Sequence, residues 1–140
     1  ISHTETADWG EYGMNARRSI MLGLVALVAL LMTANAALWL VLPARAAAAL
    51  AMPLLTGPAL SSQMDIGAFF LAGASFIGLA LVTRERPWFI AAAVLVLAAA
   101  AYRTAAYLFH GAPFLADMIG IEVAMGMILI IASRVLGRGA

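Results

Sequence analysis

Arg103 and Glu122 are the residues of this chain best placed to do chemistry, because each is a charge set inside a segment otherwise apolar enough to cross a bilayer. A charge at bilayer depth costs roughly 2.5–3.5 kcal/mol on insertion scales, so such residues face a bundle interior, pair with one another or mark a functional site. Arginine donates from a planar fork that matches a carboxylate or phosphate, and glutamate can gain or lose a proton. The two together offer either an ion pair that fixes helix register or an anion clamp beside a protonatable group. Counting about 1.5 Å of rise per helical residue, Arg103 lies about 9 Å, and Glu122 and Asn35 about 12 Å, inside the same end of their segments. Asp65 opens its segment at that rim. Arg103, Tyr107 and His110 follow i, i+4, i+7 spacing and share one helix face, a polar stripe resembling the wall of an outward-facing cleft.

Each of these residues also has a plainer use. Asp65 suits an N-cap or first-turn acid favoured by the helix dipole, and Asn35 an interhelical hydrogen-bond donor. His110, beside Gly111 and Pro113, reads as a loop histidine or, alternatively, as one axial ligand for a pigment or haem. Met118 and Met125 beside Glu122 read as adaptable core filler. Asp117 is expected among lipid headgroups.

The elements that position these groups follow from composition. Of 140 residues, 65% are hydrophobic and 11% charged, with a mean hydropathy of +1.02, against about half apolar and about a quarter charged in soluble domains. Each crossing of a ~30 Å hydrocarbon core needs ~20 mostly apolar residues. The expected fold is therefore all-α, an integral membrane four-helix bundle of one domain, with spans at about 19–42, 65–82, 88–109 and 114–133. Residues 1–18 read as a polar tail or short surface helix. The alanine-rich stretch 44–63, broken by Pro53, Gly57 and Pro58, reads as an interfacial segment.

Arginine placement sets the expected orientation, since cytoplasmic flanks carry the excess of basic residues. Arg17, Arg18, Arg84, Arg86, Arg134 and Arg138 fall on one side and Arg45 alone flanks a span on the other, so both termini are expected in the cytoplasm of a bacterial inner-membrane protein. Trp88 is expected as an anchor at the inner face, Trp39 and Tyr107 at the outer. The run from Met14 through Arg17 and Arg18 to Ala34-Asn35-Ala36 also imitates a signal peptide with its cleavage site; span one is the preferred reading.

The absences narrow the chemistry. The chain has no cysteine, so it supplies no disulfide, thiolate metal site or thiol redox centre. It has no lysine for a Schiff base and only two histidines, His3 and His110, so it cannot by itself form an intramembrane bis-histidine haem site. A net charge of +1 gives no case for nucleic acid. No nucleophile motif, metal cluster or phosphate loop points to an enzyme.

The stretch Asp65-Ile-Gly-Ala-Phe-Phe-Leu-Ala-Gly, then Arg103, then His110-Gly-Ala-Pro and Glu122, resembles an uncharacterised family of small bacterial inner-membrane proteins with four helices, a domain of unknown function. The resemblance spans about half the chain and implies a four-helix bundle with an acid–arginine–acid set, without an activity. The polar tail before Met14 departs from it. The leading expectation is a non-catalytic accessory or assembly subunit, partnered by the bilayer and by other membrane subunits or further copies of itself. It rests partly on small-residue ridges at Ala116, Gly120 and Ala124, at Ala68 and Ala72, and at Ala74 and Gly78. A small proton-linked carrier or binding protein built on Arg103 and Glu122 is the alternative. A pigment, haem or quinone binder through His110 is the third, although no cofactor is required.

Overall fold

The computed structural model describes the backbone of residues 3–139 and the side chains of residues 9–139. The side chains of His3, Glu5 and Asp8, in the expected polar tail, lie outside the described residues, as do Ile1, Ser2 and Ala140. Five helices follow one another: α1 (His3–Val41), α2 (Pro43–Ala49), α3 (Pro58–Thr83), α4 (Arg86–His110) and α5 (Ala116–Val135). All but α2 are long and apolar enough to cross a membrane. The expected all-α, four-span architecture is present to that extent.

The punctuation of the chain is mostly proline and glycine. No proline occurs before Pro43, and α1 runs to the residue pair ahead of it without a break. The expected boundary between tail and span near Arg18 is therefore not a structural boundary. From Trp9 the helix has 33 residues, about 50 Å at 1.5 Å each, well beyond the ~30 Å of a hydrocarbon core. Residues 9–20 are exposed on every side, so this first part of α1 stands clear of the bundle.

Span two begins seven residues earlier than its expected start at residue 65. Pro58 sits in the first turn of α3, after Gly57 at φ 59°, because proline lacks only an N–H that a first turn leaves unpaired anyway. Pro58 thus starts a helix where the sequence pattern reads as a broken segment. The rest of the expected interfacial stretch divides into α2 and a loop over residues 50–57. The chain's single glutamine holds that loop. Gln63, buried, accepts a hydrogen bond from Leu55 N–H and donates one to Pro53 O, each 2.9 Å.

The long helices pack in a ring, α1 against α3 and α5, and α4 against α3 and α5. The main core lies toward the end of the bundle that carries the α3–α4 turn: Val25, Val28 and Met32 from α1, Ile77 and Ala80 from α3, Phe89, Ala92, Ala93 and Val96 from α4, and Leu129, Ala132 and Leu136 from the C-terminal region. There the chain end is tied down, with Arg138 N–H donating to Arg84 O and a single bridge pairing Glu85 with Arg138. Trp88 packs beside Phe76 and donates its indole N–H to Glu85 at 3.1 Å.

A smaller core at the opposite end is built on Trp39 with Ala46 and Ala47. Trp39 is fully buried and among the described residues its indole N–H has no partner. It is a packing residue, not the expected outer-face anchor. Gly67 of α3 makes this packing possible, since a β-carbon there would stand 2.7 Å from Trp39 Cβ.

Candidate functional site

Two cavities meet in the half of the bundle nearer α2. The inner one, about 280 Å³, touches all five helices through Asn35, Ala49, Phe70, Val96, Arg103, Glu122 and others. The other, about 660 Å³ and more open, lies over α3 and α4 and includes Asp65, Ile66, Leu95, Ala98, Tyr102 and Ala106. Leu50, Phe69, Phe70, Arg103 and Glu122 line both. Ligand pockets are mostly apolar clefts of about 300–1,000 Å³ with a few placed polar groups, and these cavities have that character.

The local reason for the hollow is visible in the helices. The buried residues of α4 stop at Ala100 and those of α5 begin at Gly126. Beyond those points both helices turn only partly buried side chains inward. Arg103 and Glu122 join them there. Arg103 Nε donates to Glu122 Oε1 at 2.8 Å, with the side chains 27% and 14% exposed. This is the expected pair, in single-point rather than bidentate geometry. Among the described residues the Nε bond is the only hydrogen bond that the Arg103 guanidinium makes, which leaves both Nη groups uncommitted. Glu122 Oε2 is buried and has no hydrogen-bond partner. An ion pair this incompletely satisfied has donors free for a second anion and an acceptor free for a proton or a donor.

The other expected members of the polar layer separate. Asn35 lines the inner cavity, but its amide donates to Leu31 O, one turn back on α1, at 2.9 Å; it does not donate between helices. Asp65 lines the wider cavity, exposed and two turns inside α3. It is therefore neither an N-cap nor a partner of Arg103. Tyr107 lies 46% exposed against Phe114, ring centroids 5.1 Å apart. His110 is exposed as the last residue of α4. Arg103, Tyr107 and His110 share one face of the continuous helix α4, but neither Tyr107 nor His110 lines either of the two cavities, so the expected cleft wall is limited to Arg103. Among the described residues no three His, Asp or Glu side chains gather as metal ligands.

Residues that the polar pattern did not single out complete the site. Phe69 and Phe70, in edge-on contact with centroids 5.3 Å apart, stand where the cavities adjoin. Leu50 and Met52 contribute from the loop that Gln63 holds. A lone glutamine in an apolar, proline-broken stretch was the available signal for that loop. The ridge Ala116, Gly120 and Ala124, expected to suit close helix packing, faces outward: all three are exposed, and among the described residues nothing lies within 4 Å of a β-carbon at Gly120. Close packing on α5 falls instead at Gly126, where a β-carbon would meet Leu97 at 2.5 Å.

Fold and site together define an all-helical chain with four membrane-length helices and an ion pair between two cavities. No family model, curated protein or solved structure matches it.

Proposed function

We propose that this chain is a non-catalytic, ligand-binding membrane protein in which Arg103 receives the anionic head of an amphipathic molecule and the apolar cavity walls receive its tail. The observation that carries this reading is the half-used ion pair: one guanidinium N–H engaged by Glu122, two nitrogens uncommitted, and both residues lining both cavities. Arginine recognises a carboxylate or phosphate in low dielectric by charge-assisted hydrogen bonds. Glu122 is the internal counter-ion, which competes with the incoming anion for the same guanidinium. The test is native mass spectrometry of the protein in detergent, titrated with single-chain carboxylic acids and with the matching alcohols. The acid is expected to bind, the alcohol to bind at least tenfold more weakly, and Arg103→Gln to abolish the difference. Equal binding of acid and alcohol would refute the role of Arg103. Glu122→Gln, which removes the competing carboxylate, is expected to tighten acid binding.

The accessory-subunit reading is favoured by a different observation, the outward-facing small-residue ridge of α5, which permits close approach of another helix. The two readings are compatible, since a ligand-binding bundle can dock on a larger complex. The same proposal places the chain in a bacterial inner membrane with both termini cytoplasmic, supported by the six arginines at one end, and keeps the four-helix family resemblance of its polar motifs.

A further inference from the structure

The turn between α3 and α4 contains an arginine where the backbone favours glycine. Arg84 caps α3 in the left-handed conformation, φ 60° and ψ 21°, which glycine adopts without the steric cost that a β-carbon brings. Its N–H donates to Ala80 O, as such a cap requires, and any residue supplies that bond. Its side chain is half-buried, with Nη1 shielded from solvent and, among the described residues, without a hydrogen-bond partner. A guanidinium nitrogen buried without an acceptor is costly, and a strained backbone position occupied by such a residue points toward a use for it.

Three more arginines belong to the same end of the bundle. The Arg138 N–H donates to Arg84 O, Arg134 lies in the last turn of α5, and the side-chain stem of Arg86 passes 2.6 Å from where a β-carbon of Gly137 would stand. Among the described residues none of the four lies within salt-bridge distance of a carboxylate; Arg103 alone does. The nearest acid in sequence, Glu85, accepts the Trp88 indole N–H. Among the described residues, the α3–α4 turn and the C-terminal end thus carry four arginines and one carboxylate, an excess of positive charge suited to anions.

The position points to the source of those anions. Arg84 directly follows the last residue of a membrane-length helix, where the end of a spanning helix meets lipid headgroups. Immediately beneath it Val82 is 83% exposed and Leu79 is 41% exposed, an apolar surface suited to acyl chains. We infer that the α3–α4 turn and the C-terminal end form a binding site for an anionic phospholipid whose headgroup carries two phosphates. Each phosphate takes a pair of arginine forks, one pair including Arg84, and the acyl chains lie along the exposed face of α3. This site is separate from the Arg103–Glu122 cavities and does not depend on their occupancy. Basic pockets at the ends of spanning helices recognise headgroups by this chemistry.

The test is native mass spectrometry of the full chain released from nanodiscs of phosphatidylcholine doped with diphosphatidylglycerol or, in a parallel set, with phosphatidylglycerol at equal total charge. One diphosphatidylglycerol is expected to be retained per protein, in preference to phosphatidylglycerol. Arg84→Gly relieves the backbone while removing the guanidinium, so it is expected to melt no lower than the parent yet retain the lipid about fivefold less or worse. Arg138→Gln is a second route to the same loss without touching the turn, and Arg45→Gln, at the other end of the bundle, is expected to change nothing. Retention undiminished in both Arg84→Gly and Arg138→Gln would overturn the site. Equal retention of the two anionic lipids would overturn the two-phosphate headgroup. Displacement of the lipid by millimolar inorganic pyrophosphate would overturn the lipid as its occupant in favour of a soluble anion.

Discussion

The two ends of this bundle solve the same packing problem differently. Toward the α3–α4 turn all four long helices contribute fully buried side chains, among them Val25, Ile77, Phe89 and Leu129, and the chain end is hydrogen-bonded onto the turn. Toward α2, α1 and α3 stay in close contact through Trp39 and Gly67, and α4 and α5 stay together through the 111–115 turn, the Tyr107–Phe114 contact and the Arg103–Glu122 bond, while two cavities open between the helices. The same chain therefore builds one half for rigidity and leaves the other half open around its two most expensive residues. In lipid, helices gain little from hydrophobic contact and associate through close backbone approach and polar bonds. In the half that holds the cavities, the Arg103–Glu122 bond adds a polar link between α4 and α5 where neither helix has fully buried apolar side chains.

The sharpest way to break that comparison is to remove one member of the pair. Arg103→Leu strands the Glu122 carboxylate in the open half, and loss of one partner of a buried ion pair typically costs about 3–5 kcal/mol. The double variant Arg103→Leu, Glu122→Leu is expected to recover most of that loss, because two apolar side chains need no partners. Detergent melts of the three proteins measure both. If the single variant melts with the parent, the pair contributes nothing to the open half and the contrast between the two ends is one of shape alone.

Next in size are the two close approaches. Gly67→Ala drives a β-carbon to within 2.7 Å of Trp39 Cβ, an atom fixed to the backbone of α1. Gly126→Ala meets the Leu97 side chain at 2.5 Å, which can rotate toward the hollow that begins at this level. Overpacking typically costs about 1–3 kcal/mol; Gly67→Ala is expected near the upper figure and Gly126→Ala near the lower. Equal losses would mean that Leu97 has no room to move and that the packed half extends further toward α2 than the cavities indicate.

A smaller effect is expected at the rim. Gln63→Ala removes both bonds that hold the 50–57 loop, at a net cost of about 1 kcal/mol for each intramolecular hydrogen bond. Because Leu50 and Met52 of that loop line the cavities, the same variant is expected to speed exchange of a bound amphiphile while leaving the packed half unchanged. Hydrogen exchange confined to residues 50–57, with α4 and the C-terminal half of α5 as protected as in the parent, is the expected pattern.

What was legible in the sequence follows from these energies. Four spans could be read because long apolar runs have few other uses, and the ion pair because a charge in lipid is too costly to be incidental. Helix starts were harder: Pro58 looks like a breaker in a one-dimensional reading, yet at a first helical turn it favours the helix. That misplacement carried Asp65 from an expected cap to a position two turns inside α3. Trp39 misled for a similar reason, since an aromatic near a span end can anchor at the interface or fill a core, and only the facing Gly67 distinguishes the two. The loop latch has a local signal in the lone Gln63 of a proline-broken stretch, whereas the hollow has none, because it depends on how the helices sit against one another.

The smallest effect is expected where small residues are most regularly spaced. Ala116, Gly120 and Ala124 form a ridge whose spacing suits close packing of a helix, and because Glu122 lies on the opposite side of α5 and lines the cavities, the ridge faces outward. Gly126, Leu129 and Ala132 follow Glu122 around that inward face and are buried. Gly120→Leu should therefore leave the monomer's melting temperature unchanged, because nothing lies within 4 Å of the new β-carbon. If α5 docks another helix through this ridge, the same substitution should dissociate the complex extracted from native membranes, as judged by its mass in lipid nanodiscs. A lowered melting temperature in the isolated monomer would instead show the ridge packed inward. Glu122 would then face lipid and the open half would lose its polar bond, so this nearly silent substitution bears directly on which face of α5 builds the site.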